Sequence, residues 1–212
     1  MTERPTAPPT SLLLVHGSGS GPWIFDGWAA AFPGVVVVAV DLHAGLDVSR
    51  ASHADYAEAV VRAAAELPRP LALCGWSMGG LAVLQAAERV RPDAVVVIEP
   101  SAPAEVQGSR PETEVADGSF DPVEVYGRPF PAGLRARPES SRARAERKRG
   151  ISVPSLPCPS LVVFGDEFRD ERGTPVAELY GSEALDFPGL DHWDVVLDER
   201  VRAGIATWLG VG

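Results

Sequence analysis

Cysteine is nearly absent from this chain: Cys74 and Cys158 are the only two in 212 residues. A disulfide framework is therefore not expected, and two unpaired thiols in a reducing cytosol are. Long apolar runs are missing too, since none approaches the roughly 20 residues a membrane-crossing helix needs. Residues 1–11 hold Pro5, Pro8 and Pro9 without the apolar core of a signal peptide, so they read as a flexible arm. The expectation is a cytoplasmic chain with no membrane partner. Basic charge is scarce, with 19 Lys and Arg against 29 Asp and Glu and a net charge of -10, which speaks against a nucleic-acid partner. His, Cys, Asp and Glu nowhere cluster at metal-ligand spacing, so neither a metal nor a cofactor is expected. There are no internal repeats. The length and a 45% hydrophobic share are enough for one domain with a substantial core.

Apolar runs of strand length occur at residues 12–15, 35–40, 71–74, 94–98, 161–164 and, shorter, 184–187. Helical patterns fall between them. Residues 23–32 carry Trp23, Ile24, Trp28, Ala31 and Phe32 and stop at Pro33-Gly34. Ser52 and Asp55 resemble a capping box ahead of Tyr56, Val60, Ala64 and Leu67, which share one helix face. Further helices are expected at 81–87, at 138–149 closed by Gly150, at 175–180, and at the C-terminus around Val201, Ile205, Trp208 and Leu209. Such alternation predicts an α/β fold, a mostly parallel sheet of about six strands with helices on both faces. The run at 35–40 is continuous rather than alternating, as expected of a strand covered on both faces. Between residues 101 and 157 the periodicity disappears, and a loop that long is more often functional than connecting.

The strongest motif is Gly75-Trp76-Ser77-Met78-Gly79-Gly80, with a buried strand before it and a helix-forming run directly after. A serine in that setting sits on a sharp strand-to-helix turn, its hydroxyl lifted clear of the sheet. The backbone N–H groups opening the helix then point at the same spot and suit a developing oxyanion. A second glycine-rich stretch, His16-Gly17-Ser18-Gly19-Ser20-Gly21-Pro22-Trp23, follows the first strand. It lacks a P-loop lysine and the Gly-x-Gly-x-x-Gly spacing, so it reads as an anion hole, with His16 orienting the loop. Loops at the carboxyl ends of parallel strands converge on one edge, and Ser77, residues 17–21, Asp166 and His192 all fall in them. Serine needs an imidazole to take its proton and a carboxylate to orient that imidazole. His43 and His53 lie near the loop after the second strand and are expected to be exposed.

On these residues the chain resembles an α/β-hydrolase over residues 12–209 apart from the middle segment. The resemblance implies Ser77 as nucleophile, His192 as general base and then acid, and the backbone N–H groups of Met78 and Ser18 as oxyanion hole. Residues 16–23 are similar to the corresponding loop of small plant-type esterases and hydroxynitrile lyases. It further implies a core of residues 12–100 and 158–212 with a lid over 101–157. In the family the acid usually lies three residues past the glycine ending its strand, where this chain has Phe168. Asp166 is the preferred substitute, with Asp170, Glu167 and Glu99 as alternatives. The two strands that usually precede the first one here are missing, which leaves 35–40 at the sheet edge. The N-terminal arm, a loop or a second subunit in a homodimer is expected to cover it. Eight basic residues (Arg128, Arg135, Arg137, Arg142, Arg144, Arg147, Lys148, Arg149) gather in the lid. The implied activity is hydrolysis of a small-molecule ester or thioester, the substrate being anionic or carrier-bound. A cofactor-free lyase or isomerase using Ser77 and His192, and a non-catalytic binding protein, are the alternatives.

Overall fold

The apolar runs assemble into one parallel sheet in the computed structural model, which describes residues 4–128 and 130–211. Strands β1 (Ser11–Val15), β2 (Val36–Val40), β3 (Leu71–Trp76) and β4 (Ala94–Ile98) come first in the chain. A small antiparallel ribbon, β5 (Ser119–Phe120) with β6 (Glu139–Ser140), belongs to the middle segment. Strands β7 (Ser160–Phe164) and β8 (Glu183–Asp186) complete a six-stranded sheet of order β2-β1-β3-β4-β7-β8. All its pairings are parallel.

Side chains alternate across this sheet, so each strand feeds two cores. On one face Leu13, Val15, Leu71, Leu73, Val95 and Val97 pack under α1 (His53–Ala65) and α2 (Met78–Val90). On the other, Leu12, Leu14, Ala72, Cys74, Val96 and Ile98 meet Trp28, Ile205 and Trp208. The middle segment is built from α3 (Ala104–Gln107), α4 (Pro122–Tyr126) and α5 (Ser141–Arg149) besides its ribbon. After β7 come α6 (Thr174–Tyr180), α7 (Asp194–Leu197) and α8 (Glu199–Trp208). Ser52 caps α1 as its sequence suggests: its hydroxyl accepts from the Asp55 amide at 3.1 Å, and Asp55 accepts from the Ser52 amide at 2.8 Å.

Several expectations need correction. Residues 23–32 form two 3-10 turns, Pro22–Phe25 and Trp28–Ala31, because Gly27 between them adopts φ 81 and breaks the helical run. Strand β2 is not covered on both faces: Val36 is 47% and Val38 37% exposed, and β1 is its single partner in the sheet. Its valines reflect strand preference rather than burial. The arm does not run along it. Thr10 accepts from the Val36 amide, but Arg4 pairs with Glu183 on β8, so the arm crosses to the opposite edge. Residues 1–3 of the expected arm lie outside the described residues.

His43 and His53 are buried, not exposed, because the middle segment folds over them. His53 Nδ1 lies 2.7 Å from Gln85 Oε1, and His43 Nε2 lies 3.4 Å from Glu139 Oε1. The same Glu139 oxygen accepts from the Tyr56 hydroxyl at 2.5 Å. Burial would raise the Glu139 carboxyl, but the hydrogen bonds from His43 and Tyr56 outweigh it and hold it at about 2. A buried carboxylate satisfied in this way ties the middle segment to α1.

Helix α2 lies so close on the end of β1 that a Cβ at Gly79 would stand 2.3 Å from the His16 carbonyl oxygen and 2.4 Å from that of Val15. Both obstacles are backbone and cannot swing aside. Gly79→Ala is expected to lower the unfolding free energy by about 3 kcal/mol, read from urea denaturation. A change within experimental error would show that α2 can lift from β1 freely.

Candidate active site

Strand β3 ends at Trp76 and α2 begins at Met78, so Ser77 alone turns the chain. It does so at φ 56, ψ -121, a conformation that costs a non-glycine residue roughly 1–3 kcal/mol. The neighbourhood holds it there. The Ser77 amide donates to Ile98 at 2.9 Å, and its carbonyl accepts from Ser101 at 2.8 Å and Gly80 at 3.0 Å. Flanking glycines give the room, since a Cβ at Gly75 would meet the Gly79 oxygen at 2.5 Å. Gly17 in the loop after β1 is equally constrained, its Cβ position being 2.9 Å from the Ser77 Cβ.

His192, in the turn between β8 and α7, brings Nε2 to 3.0 Å from the Ser77 hydroxyl oxygen. Its Nδ1 lies 2.5 Å from Glu99 Oε2. The network assigns the Nδ1 proton to the carboxylate side and leaves Nε2 to accept from the serine. Glu99 follows β4 with φ 39 and is fully buried. Its second oxygen accepts from the Gly165 amide at 2.8 Å, just past β7, the neighbouring strand. The imidazole ring is framed by Trp76 and Phe168, each 5.0 Å away between centroids. Trp76 Nε1 donates to the His192 carbonyl at 3.1 Å, and Glu167 accepts from the His192 amide at 3.1 Å.

The carboxylate on the imidazole is thus Glu99 and not Asp166, and this corrects the sequence-based preference. Asp166 is an exposed residue that accepts from Arg169 at 2.7 Å and from the Gly189 amide at 2.7 Å, a loop tie on the outside of the molecule. Arg169 and the Gly189 amide hold its carboxyl below the ordinary value. Asp170 is exposed in the turn Arg169–Gly173, and Glu167 is committed to the His192 amide and to Arg128. A clue lay in Glu99-Pro100: an acid closing an otherwise wholly buried strand beside the strand of the expected acid.

Burial lowers the His192 pKa below its ordinary value; Glu99 works against this and the charge of Arg172 with it. The ring is therefore neutral at neutral pH, the form able to accept a proton. Met78 supplies the first backbone N–H of α2, immediately after Ser77. Ser18 and Ser77 line one cavity of about 320 Å³. Trp76, Phe130, Phe168 and Trp193 form part of its walls, and three arginines, Arg128, Arg147 and Arg172, line it with Glu167. His16 is buried and accepts from the Leu42 amide at 3.1 Å, which pins the glycine loop to the end of β2. Cys74 and Cys158 are both free, and burial pushes both thiols up. Among the described residues no three His, Cys, Asp or Glu are grouped to hold a metal, and no helix is long and apolar enough to cross a membrane.

Residues 12–207 match a family model described as the alpha/beta hydrolase family. No curated protein matches the chain by sequence. Solved structures of the same fold include the RedJ thioesterase from the prodiginine biosynthetic pathway of Streptomyces coelicolor, with a TM-score of 0.66 and 23% identity over 96% of this chain and 91% of that one. A methylesterase from Arabidopsis gives 0.67 at 17% identity, covering 94% of this chain and 98% of its own. Polyneuridine aldehyde esterase gives 0.65 at 18%, covering 95% and 99%. At such identities the likeness is one of fold.

An NMR titration of the His192 ring is expected to give a midpoint below the ordinary imidazole value of about 6.5. Glu99→Gln should move it lower still, since the carboxylate favours the imidazolium, while Asp166→Asn should leave it in place. A larger shift from Asp166→Asn than from Glu99→Gln would contradict the arrangement.

Proposed function

The chain belongs to the alpha/beta hydrolase family, and from that premise we propose that it is a serine hydrolase cleaving a small-molecule carboxylic ester or thioester through an acyl-enzyme on Ser77. The observation that carries the reading is the unbroken row from Ser77 through His192 to Glu99, at 3.0 Å and 2.5 Å. As the serine oxygen attacks the carbonyl carbon, its proton passes to His192 Nε2, and Glu99 stabilises the imidazolium that forms. Negative charge gathers on the carbonyl oxygen, where the N–H groups of Met78 and Ser18 receive it. The intermediate collapses, the bond to the alcohol or thiol breaks, and the leaving group takes the proton from His192. Water then gives a proton to Nε2 and attacks the acyl carbon, and release of the acid restores Ser77.

The lyase and isomerase alternatives drew on the displaced acid together with the tolerance of this fold for different reactions. Glu99 on the imidazole removes the first ground, and the complete row favours acyl transfer. Thioesterases and esterases among the fold relatives support an ester or thioester substrate over a peptide. The cavity of about 320 Å³ supports a small acyl group.

A fluorophosphonate probe is expected to label Ser77 stoichiometrically, seen by mass spectrometry, and not to label Ser77→Ala. In a screen of short-chain and long-chain esters and thioesters, Glu99→Gln should lower kcat by about 10³- to 10⁴-fold and Asp166→Asn by less than about twofold. Folded protein that neither labels nor turns over any acyl substrate would defeat the reading.

A further inference from the structure

The lid's basic residues divide into two groups. Arg128 pairs with Glu167, Arg137 with Asp41 and Arg142 with Glu146, and Arg149 donates to the Thr113 carbonyl. Arg144 stacks over the Phe120 and Tyr126 rings with its Nε unpartnered among the described residues, and Arg147 is the one of the two that lines the Ser77 cavity. Arg147 is 9% exposed on α5; one nitrogen donates to the Ser101 hydroxyl at 3.1 Å, while Nε and Nη2 have no partner among the described residues. Arg172, from the turn after β7, stacks its guanidinium 3.5 Å from the Phe168 ring centroid, and its Nε is likewise without a partner. Both residues line the Ser77 cavity, and both also line a second cavity that adjoins it and adds Arg110, Arg144 and Lys148.

The nearby acids are engaged or peripheral. Glu99 serves His192, Glu167 serves Arg128, Glu139 serves Tyr56, and Glu171 is exposed at the rim. The local field is correspondingly positive. Burial and the charges of Arg144, Arg147 and Arg110 lower the Lys148 pKa. Burial would raise the Tyr126 hydroxyl, yet Arg147 and Arg144 outweigh it and bring it below its ordinary value. A guanidinium withdrawn from water without an anion is unfavourable, and its planar fork matches carboxylate and phosphate oxygens.

We propose that Arg147 and Arg172 form an anion-binding subsite beside Ser77, so that the ester or thioester cleaved there carries a carboxylate or phosphate. The chemistry at Ser77 rests on the hydrolase reading, but the binding does not. The anion has two sources, a carboxylate ending the acyl part or a phosphate on the leaving thiol.

Binding is tested first, by calorimetry of glutarate and of inorganic phosphate with Ser77→Ala protein. Saturable binding that weakens about tenfold or more when Arg147→Gln or Arg172→Gln is added supports the subsite. Turnover is tested with two matched pairs: succinyl against butyryl thioesters of one neutral thiol, and acetyl thioesters of pantetheine against phosphopantetheine. The wild type should favour the charged member of one pair by about tenfold or more in kcat/KM, and that pair identifies the source. Each arginine variant should reduce the preference by about tenfold, chiefly through KM. Turnover with no preference in either pair, or losses equal for charged and neutral members, overturns the subsite while leaving the hydrolase reading intact. Arginine-dependent anion binding without any turnover or Ser77 labelling supports the subsite and removes the hydrolase reading instead.

Discussion

The contact between the first turn of α2 and the end of β1 is the constraint from which the site follows. Gly79 rests on the carbonyls of Val15 and His16, and Gly80 rests on Pro100 with 2.7 Å to the nearest carbon from its missing Cβ. A helix drawn in that close brings its own start beside the glycine loop after β1, where a Cβ at Gly17 would stand 2.9 Å from the Ser77 Cβ. The turn left to Ser77 is then too tight for an ordinary backbone conformation. Its positive φ is maintained by hydrogen bonds to Ile98 at the end of β4 and Ser101 just beyond it, the two residues that bracket Glu99-Pro100. Strain at the serine and placement of the acid are thus one construction.

Burying Glu99 completely would be unfavourable without strong partners, and it has two, the Gly165 amide and His192 Nδ1. Each comes from a loop at the carboxyl end of the sheet, one after β7 and one after β8. The imidazole is held in one tautomer by the carboxylate, while its own burial and Arg172 keep it from being protonated at neutral pH. These opposing influences leave an imidazole that is oriented by a carboxylate and still able to accept a proton.

Much of this was legible in the chain because it is written locally. Continuous apolar runs marked the strands, the glycines around Ser77 marked the turn, and Ser52 with Asp55 marked the start of α1. What depends on lateral neighbours was not. By composition residues 35–40 look like a doubly covered strand, and their place at the sheet edge, which the structure bears out, followed only from the two strands missing by resemblance. Gly27 breaks a helical pattern through a left-handed conformation that periodicity does not register. The acid was misread for the same reason. Asp166 follows its strand closely in sequence, but it is the pairing of β4 with β7 that brings Glu99 under the imidazole. His43 and His53 were misread because the fold-back of residues 101–157 over α1 is a tertiary event.

Carrying the acid on β4 changes what the loop after β7 can do. A carboxylate in that loop would have to point inward at His192, and the residues around it would be spent on holding it. Here the loop is released from that duty. Phe168, at the position where relatives usually keep the acid, lays its ring edge against the imidazole instead, and Arg172 stacks on Phe168. Glu167 joins the His192 backbone to Arg128 of the middle segment. The loop thereby becomes a wall of the cavity that links the base to the segment above it. A protein of net charge -10 that concentrates arginines over this wall, with buried guanidinium nitrogens unpaired among the described residues, has an electrostatic asymmetry that packing alone does not require. Surface arginines would have served solubility equally well, so the asymmetry is better explained by what enters the cavity than by what holds the fold together.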